Sequence, residues 1–280
     1  AWGYNNRGQL GDGTTINKTI PTQIGTNNNW SKIAAHGVHS IALKTDGTLW
    51  TWGGNAYGQL GDGTTTNRTV PTQIGTDTDW AYVAAGPNAT YAIKQNGTLW
   101  AWGGNNKGQL GDGTTTPRLL PAQVLPGTTW SKIDSGDSFI IAQKTDGTLW
   151  SCGEYTSDQL GRPVTVSSNA YTLLQINADN DWLDFKCNNR HTLLIKTNNT
   201  VWGFGEGDLG SLVTGSDTGY GIPTQLISGN DWAQAIPSAA GSLFKKINGT
   251  IWGVGYNAVG TLGFGNYNFY NYALQQIGTA

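Results

Sequence analysis

Hydrophobic and polar residues alternate in short runs that recur about every fifty residues along this chain. In the run His39–Lys44, Ile41 and Leu43 fall on the same face of an extended strand. A second run, Thr48–Gly53, follows directly after the pair Asp46-Gly47, and such pairs are typical of tight hairpin turns. The pattern therefore predicts short antiparallel strands joined by tight turns.

The hairpin turn recurs with suitable residues in every copy of the pattern. Asn, Asp and Gly best tolerate the positive φ that both central residues of a type I′ turn require, so we predict turns of this type. The five turn pairs are Asp46-Gly47, Asn96-Gly97, Asp146-Gly147, Asn198-Asn199 and Asn248-Gly249.

Two further runs complete a unit of four strands. Trp30–Ala35 is rich in small residues, as a strand in a crowded position should be, and Thr69–Ile74 contains Pro71. Proline lacks an N–H donor and therefore belongs on an edge strand. Units of four short strands at this period are typical of the blades of a β-propeller. The sequence predicts an all-β propeller with complete blades over residues 30–75, 80–125, 130–176, 182–227 and 232–277.

Residues 1–25 correspond only to the outer two strands of a further blade, a half-blade. Ala1-Trp2-Gly3 matches Thr51-Trp52-Gly53, so the segment that leads into Thr51 has no counterpart before Ala1. We expect one propeller domain over residues 1–280, as a fragment of a longer chain with six or seven blades. Either upstream strands or a neighbouring chain would complete the half-blade.

Tryptophan recurs at fixed places in the repeat, and this regularity predicts packing between blades. An aromatic cage or a sugar-stacking surface is the alternative for these rings. The residues assigned to packing are Trp30, Trp80, Trp130, Trp182, Trp232, Trp52 and Trp102.

The loops Gly11–Thr15, Gly61–Thr65 and Gly111–Thr115 share the sequence Gly-Asp-Gly-Thr-Thr. A phosphate loop would need a lysine and a following helix, and a calcium loop would need several alternating carboxylates. We therefore predict turns in which the aspartate accepts hydrogen bonds within its own loop.

No group of side chains has catalytic or metal-ligand spacing in the sequence. The histidines are His36, His39 and His191, and for the last two, which share one place in the repeat, we predict a hydrogen bond within the blade. Cys152 and Cys187 replace Trp and Ala of the repeat. Buried thiols are therefore expected, with a disulfide between neighbouring repeats as the alternative. We predict no enzyme activity, no metal and no cofactor.

The composition narrows the classes of partner. Charged residues make up 12% of the chain and the net charge is −2, so the basic patch expected of a nucleic-acid-binding protein is missing. No apolar run reaches the roughly 18 residues that a membrane-spanning helix needs. We predict no nucleic-acid partner and no membrane span.

A longer phrase of the repeat resembles the regulator-of-chromosome-condensation repeat family. It reads Trp-Gly-x-Asn-x-x-Gly-Gln-Leu-Gly-Asp-Gly at Trp52–Gly63, and the run His39–Leu43 accompanies it. The resemblance covers the whole chain and implies a propeller, usually seven-bladed. Its members include a GTPase exchange factor, ubiquitin-ligase modules, an enzyme inhibitor, and bacterial and phage surface proteins. The long hairpin and basic tail of the exchange factor have no counterpart here. In the degraded fourth blade we align Gly207–Gly210 with Gly-Gln-Leu-Gly.

Binding is expected where the chain departs from its repeat, because loops on a rigid frame carry recognition. Three segments depart from it, Glu154–Ala170, Glu206–Gly221 and Phe264–Tyr272, and the last interleaves Tyr and Phe with Asn. That composition is typical of recognition surfaces, with relaxed packing of degraded blades as the alternative. The candidate binding residues are Tyr155, Arg162, Tyr171, Tyr220, Tyr267, Phe269, Tyr270 and Tyr272.

The sequence favours a non-catalytic binding or structural module of a bacterial surface protein or a bacteriophage particle. Its divergent loops would contact a protein or glycan partner, and its location would be extracellular, on the cell surface or in the virion. One alternative is a soluble regulator or inhibitor that binds one enzyme or small GTPase through a propeller face. Another is an assembly subunit that uses the half-blade as its contact.

Overall fold

The computed structural model describes residues 1–166, 170–239 and 241–278, and these residues form an all-β structure. Ser167, Ser168 and Asn169, which belong to the divergent segment Glu154–Ala170, lie outside the described residues. Within the described ranges there is a short 3₁₀ turn at Asp208–Gly210, and no helix there is long and apolar enough to cross a membrane.

In the described ranges, twenty strands form five sheets of four strands each. The first sheet contains β1 (Trp30–His36), β2 (His39–Lys44), β3 (Leu49–Gly53) and β4 (Arg68–Gln73). The second contains β5 (Trp80–Ala85), β6 (Ala89–Lys94), β7 (Leu99–Gly103) and β8 (Arg118–Val124). The third contains β9 (Trp130–Ser135), β10 (Phe139–Lys144), β11 (Leu149–Gly153) and β12 (Leu174–Gln175). The fourth contains β13 (Trp182–Asn188), β14 (His191–Lys196), β15 (Val201–Gly205) and β16 (Tyr220–Ile227). The fifth contains β17 (Trp232–Ser238), β18 (Gly241–Lys246), β19 (Ile251–Tyr256) and β20 (Tyr270–Ile277).

Within each sheet the strands lie side by side in chain order, and the pairing is antiparallel. In the first sheet Leu43 faces Leu49 and His39 faces Gly53, which places Ile41, Leu43 and Leu49 on one side of the sheet. The predicted fold of four-stranded antiparallel units is therefore confirmed.

The hairpins between the second and third strands form at the predicted residues, but the predicted turn type is wrong. Gly47 has φ of 79°, whereas Asp46 is not among the residues with positive φ. The Gly47 N–H donates to the Lys44 carbonyl at 3.0 Å, and the Asp46 carboxylate accepts from the N–H and hydroxyl of Thr48. This is a type I turn followed by one left-handed residue. In this turn the Asp46 carboxylate caps the start of the next strand through its hydrogen bonds from Thr48.

The core consists of apolar side chains packed between consecutive sheets. One cluster joins Ile41, Leu43, Leu49 and Ile74 of the first sheet to five residues of the second sheet, Trp80, Val83, Ala85, Ala92 and Trp102. A second cluster joins the fourth and fifth sheets in the same way, and it includes Leu193, Ile195, Val201, Trp232 and Phe244. In each of these two pairs, one face of the earlier sheet packs against one face of the sheet that follows it.

Residues 1–25 keep the pairing of an outer strand pair without forming regular strands. Gly3 and Lys18 exchange two backbone hydrogen bonds of 2.7 and 3.0 Å, and the Thr22 N–H donates to the Ala1 carbonyl at 2.9 Å. The same register joins Gly53 to Arg68 in the first sheet. In each of the five described sheets, the second strand pairs with the third strand. Ala1–Gly3 corresponds to the end of a third strand, and among the described residues no second strand pairs with it.

The chain forms two compact units. The first contains Ala1–Asp134, Ala142–Thr145 and Ala170–Leu173. The second is drawn from the described residues of Ser135–Ile141, Asp146–Asn169 and Leu174–Ala280. A single propeller domain over residues 1–280 stays a prediction.

Candidate functional site

The Gly-Asp-Gly-Thr-Thr loops are closed by their own side chains. The Asp62 carboxylate accepts hydrogen bonds from the N–H and hydroxyl of Thr64, at 3.0 and 2.7 Å, and from the Arg68 guanidinium. In the first loop, hydrogen bonds from Thr14 lower the pKa of Asp12 to about 2. No metal-ligand cluster is found in the part of the chain that the structure describes. Because these carboxylates are saturated locally, the loops have a structural role.

The tryptophan rows are occupied by lysines of the chain itself. Trp80 and Trp100 pack edge to face at 5.9 Å, and the Lys94 ammonium lies 4.9 and 5.1 Å from the two ring centres. Lys44, Lys196 and Lys246 lie over the corresponding pairs. The rings therefore do not form an open cage for an external cation or sugar. Among the residues assigned to packing, Trp30 is half-buried, and the buried ones are Trp52, Trp80, Trp102, Trp130, Trp182 and Trp232.

The repeated histidines join neighbouring sheets, so the predicted hydrogen bond within the blade is wrong. The His39 Nε2 lies 2.9 Å from the Thr90 hydroxyl, which itself donates to the Gln59 carbonyl at 2.7 Å. The Thr90 oxygen must therefore accept the Nε2 proton. Burial lowers the pKa of His39 and of His191 to about 4, and in His39 the neighbouring His36 adds to the effect. Both rings are neutral at pH 7 and serve as structural links.

Cys152 and Cys187 are not joined by a disulfide. Cys152 is buried at the place where the first two sheets have tryptophan. Cys187 is half-buried, and its sulfur accepts a hydrogen bond of 3.5 Å from the Thr192 hydroxyl. The expectation of buried thiols therefore holds fully for Cys152 and partly for Cys187.

Two of the candidate binding residues, Tyr155 and Arg162, line one small cleft. Arg162 stands where the first three repeats have the loop aspartate, and it is buried. Its guanidinium donates to the hydroxyl and the carbonyl of Ser151, both at 3.0 Å, and burial lowers its pKa. The cleft has a volume of about 290 Å³ and also contains Asp158 and Ile222. Arg162 holds the remodelled loop against β11, and Tyr155, which also lines the cleft, is 38% exposed.

Two other candidates serve mainly in packing. Tyr171 lies against Gly108, where an added Cβ would come within 2.6 Å of the Tyr171 Cα. Tyr220, at the start of β16, is half-buried against the core between the fourth and fifth sheets. Neither residue joins the remaining candidates in a common surface within its own unit.

Of the remaining candidates, Phe269, Tyr270 and Tyr272 form an exposed aromatic cluster at the start of β20, and Tyr267 lies two residues before it in the chain. Tyr256 lies 6.2 Å from Phe269 and 6.0 Å from Tyr270, measured between ring centres. Tyr270 stacks on Tyr272 at 5.8 Å. Tyr267 is 74% exposed and Phe269 is 65% exposed. We name these five residues, Tyr256, Tyr267, Phe269, Tyr270 and Tyr272, the aromatic patch.

One acidic side chain borders the aromatic patch. The Tyr272 hydroxyl lies 3.4 Å from the Asp217 carboxylate. Local desolvation and this carboxylate raise the pKa of Tyr272, so the phenol stays protonated and can donate a hydrogen bond. The patch therefore combines flat apolar rings with hydroxyl groups and one acceptor.

Sequence reasoning missed Tyr256 and misaligned the fourth blade. Tyr256 ends β19 and pairs with Tyr270, a register that the repeat could have given. In the fourth blade the Val213 N–H donates to the Gly210 carbonyl, as Gly11 donates to Gly8 in the first loop. The counterpart of Gly-Gln-Leu-Gly is thus Gly210–Val213 and not Gly207–Gly210. Gly205 and Gly210 are separated by the same number of positions as Gly53 and Gly58. Spacing along the chain was therefore a better guide to the alignment than residue identity.

Comparison with known proteins shows the family and the fold. The model of the RCC1-like domain matches residues 1–244. Human WBSCR16 has a TM-score of 0.84 at 16% identity, covering 98% of this chain and 74% of that chain. Prp20p from Saccharomyces cerevisiae has a TM-score of 0.69 at 16% identity, covering 100% and 85%. The same yeast protein bound to Kap60 has a TM-score of 0.70 at 16% identity, covering 100% and 83%. No curated protein matches the sequence. The predicted β-propeller fold is confirmed.

Proposed function

Since the chain belongs to the RCC1-like domain family, we propose that it is a non-catalytic binding module whose partner docks on the aromatic patch. At least one protein of this fold binds other proteins, because Prp20p binds Gsp1p and histones and is also found bound to Kap60. The module presents a partner-specific surface on a scaffold of near-identical sheets.

The aromatic patch is the observation that carries this proposal. The tryptophan rows of the repeat are packed between sheets or covered by lysines, whereas Tyr267 and Phe269 expose most of their side chains to solvent. Clustered exposed aromatic rings are uncommon on soluble surfaces and mark contact sites. Tyrosine rings also lose little conformational entropy when a partner orders them.

The partner that this chemistry fits is a glycan or a protein surface with few charges. Tyr and Phe offer flat faces for stacking, and the hydroxyl groups offer hydrogen bonds. The low charge of the whole chain gives little electrostatic steering toward nucleic acid. We place the protein at a bacterial cell surface or in a bacteriophage particle, outside the cytoplasm, where such partners are abundant.

The test compares a patch variant with a matched control. We expect the Phe269→Ser, Tyr270→Ser double variant to bind bacterial envelope fractions at least tenfold more weakly than the parent protein, because hot-spot aromatics are typically worth about 2 kcal/mol or more. Tyr57→Ser is the control. The Tyr57 side chain is 50% exposed, which is comparable to Phe269 and Tyr270, but it belongs to an undegraded repeat. Sedimentation with labelled envelope fractions and a glycan array measure the affinity.

Two results would contradict the proposal. The first is a parent protein that binds no envelope, glycan or virion component. The second is a patch variant that binds as tightly as the Tyr57→Ser control.

A second function, a soluble regulator that binds one enzyme or small GTPase, is favoured by the partners of Prp20p alone. It predicts that a pull-down from the host returns one protein in stoichiometric amount. Loss of that protein with the aromatic patch variant would assign the same surface to the regulator role.

A further inference from the structure

A small cleft lies at the start of β14, in the second compact unit. It has a volume of about 280 Å³, and pockets for whole small molecules measure roughly 300–1,000 Å³, so a cleft of this size suits one inserted side chain. Among the residues that line it are Asp137, Asn189, Arg190, His191, Glu206 and Asp208.

The cleft adjoins the aromatic patch through the divergent segment Glu206–Gly221. A Cβ built on Gly210 would lie 2.8 Å from the Tyr272 Cδ1, and Ser211, the next residue, lines the cleft. The same segment carries Asp217, whose carboxylate lies 3.4 Å from the Tyr272 hydroxyl. One partner can therefore contact the cleft and the aromatic patch together.

The carboxylates of the cleft differ from the loop aspartates of the repeat, which are held by their own threonines. Among the described residues, no group donates a hydrogen bond to the carboxylates of Asp137 and Asp208. The Glu206 carboxylate contacts the Arg190 guanidinium at 3.4 Å, and the Arg190 side chain is 50% exposed. The cleft therefore has an excess of negative charge.

His191 adds a buried acceptor to these carboxylates. Its Nε2 lies 3.5 Å from the Ser242 hydroxyl, which donates its single proton to the Ser211 carbonyl at 2.7 Å. Nε2 must therefore carry the ring proton, and Nδ1 has a lone pair that accepts no hydrogen bond from the described residues. His191 is 4% exposed and lines the cleft, so an outside donor reaches this nitrogen through the cleft.

A cation with several N–H donors fits this set of acceptors. The Asn189 Nδ2 donates to the Ala239 carbonyl at 3.2 Å, so its amide oxygen is a further acceptor. No group of three metal-ligating side chains is found in the described part of the chain, so the carboxylates suit an extended cation better than a single metal ion. Lysine and arginine side chains donate without accepting, and the planar arginine fork has five donors against three.

The charge of the second compact unit favours the same kind of partner. Over its ranges the sequence has eleven Asp and Glu against six Lys and Arg. The first unit has ten Lys and Arg against seven Asp and Glu, so the small net charge of the whole chain conceals this difference. Negative charge concentrated around the patch attracts a positively charged partner.

We propose that the cleft binds an arginine side chain of a partner protein, whose neighbouring apolar residues pack on the aromatic patch. The guanidinium forms charge-assisted hydrogen bonds with the carboxylates of Glu206 and Asp208 and donates to the His191 Nδ1. This inference rests on the proposed function, because it identifies the partner of the same patch as a protein rather than a glycan.

The first experiment selects ligands from a random heptapeptide library displayed on yeast cells. We expect the enriched peptides to contain an arginine beside an aromatic or aliphatic residue. The most enriched peptide is then synthesised as the probe, and calorimetry measures its affinity. Replacing its arginine with citrulline, which keeps nearly the same shape without the charge, should weaken binding at least tenfold. Enrichment of peptides without arginine would overturn the proposal, and so would a parent protein that enriches no peptide but binds neutral glycans on an array.

Protein variants identify the cleft as the binding place. The Glu206→Gln, Asp208→Asn double variant should bind the probe peptide at least tenfold more weakly than the parent protein. The control is the Asp179→Asn, Asp231→Asn double variant, which removes the same charge from two residues that do not line the cleft. Arg190→Gln should strengthen binding at least twofold, because it removes the positive charge beside Glu206. A merely structural role of the cleft would not produce this gain.

The Phe269→Ser, Tyr270→Ser variant separates failure of this inference from failure of the proposed function. If the probe loses affinity for this variant but binds the cleft variant as tightly as the control, the patch stands and the arginine site is overturned. If the probe loses affinity for the cleft variant alone, the arginine site stands and the patch is not the docking surface. Loss of affinity in both variants, with the control unchanged, is the expected result.

Discussion

The close approach of Gly61 to Trp102 gives a prediction that can be worked through quantitatively. Gly61 has φ of 74°, and a Cβ built on it would lie 2.6 Å from the indole nitrogen and 2.9 Å from the indole Cδ1. The indole cannot move away without losing its hydrogen bond of 3.1 Å to the Gln59 carbonyl. The substitution Gly61→Ala therefore adds both backbone strain and overlap with a buried ring.

The two contributions can be separated with a second glycine. A left-handed conformation costs a non-glycine residue roughly 1–2 kcal/mol, and overpacking a core costs about 1–3 kcal/mol more. Gly75 has φ of 65° with no atom within 4 Å of its Cβ position, so Gly75→Ala carries the strain alone. We expect Gly61→Ala to lower the free energy of unfolding by about 2–5 kcal/mol, and Gly75→Ala to lower it by about 1–2 kcal/mol.

Urea unfolding followed by circular dichroism measures the difference. With a slope of about 3 kcal/mol per molar urea, a loss of about 3 kcal/mol moves the midpoint by about 1 M. In a Trp102→Val background, the cost of Gly61→Ala should fall to that of Gly75→Ala, because the overlapping ring is gone. The fourth and fifth sheets support this expectation. There Val213 occupies the place of Gly61, and Val254 occupies the place of Trp102. A residue with a Cβ therefore stands in the loop where the tryptophan is absent. Equal costs for the two glycines, or a cost unchanged by Trp102→Val, would refute the reasoning.

Two further predictions concern titratable groups. Burial holds the pKa of His39 and His191 near 4, below the ordinary value of about 6.5, so the unfolded chain binds more protons between these pH values. Stability should therefore be complete above about pH 6.5 and fall toward pH 4, by up to roughly 3 kcal/mol per histidine. Urea midpoints measured from pH 7 to pH 4.5 check this, and a flat profile would contradict it. The second prediction concerns Lys94, which lies 2.7 and 3.0 Å from Asp77 and Asp79 beside its tryptophans, whereas asparagines occupy the corresponding places near Lys44. Lys94→Met should cost about 1 kcal/mol more than Lys44→Met at low salt, since these ion pairs are partly exposed, and 1 M NaCl should remove most of the gap. A gap of the same size in 1 M NaCl would show that the ion pairs are not its cause.

The hairpins and sheets were predictable because the same local pattern, two extended runs joined by a turn pair, occurs five times in the sequence. The turn residues and the alternating aliphatic residues indicate the hairpin of the second and third strands, and the proline, where it occurs, indicates the fourth strand at the edge. The turn type was not predictable from residue preference, because Asp46 and Gly47 satisfy two turn geometries. The hydrogen bonds from Thr48 to the Asp46 carboxylate select between them.

Contacts between sheets were less accessible to sequence reasoning. The repeat shows that His39 is regular, but regularity alone does not say whether its partner lies in the same sheet or in the next. The answer depends on which face of β2 meets the following sheet, and the hydroxyl of Thr90 lies on that face. Thr90 and Ser242 occupy one place in the repeat, so a small hydroxyl residue there is the signal that accompanies each linking histidine.

The candidate site was predictable only in part, for a physical reason. A departure from the repeat marks a segment that the scaffold does not need, but it does not say which side chains meet. Phe264–Tyr272 does form the aromatic patch, whereas Tyr171 and Tyr220, chosen by the same rule, pack against a glycine and the core. Tyr220 also begins an outer strand, but its side chain packs against the core of the fourth and fifth sheets, whereas the start of β20 is exposed and the neighbouring Tyr256 extends the cluster.

The repeat also explains why recognition is expected at these departures. In the described residues, the loop aspartates are held by threonines and by a lysine or an arginine, the tryptophan pairs are covered by lysines, and the linking histidines are neutral and buried. A partner that approached these groups would have to displace internal contacts that hold the sheets together. The aromatic patch differs in this respect, since contact on Tyr267 and Phe269 buries apolar surface that is already exposed to solvent. We therefore expect specificity for a partner to come from the aromatic patch.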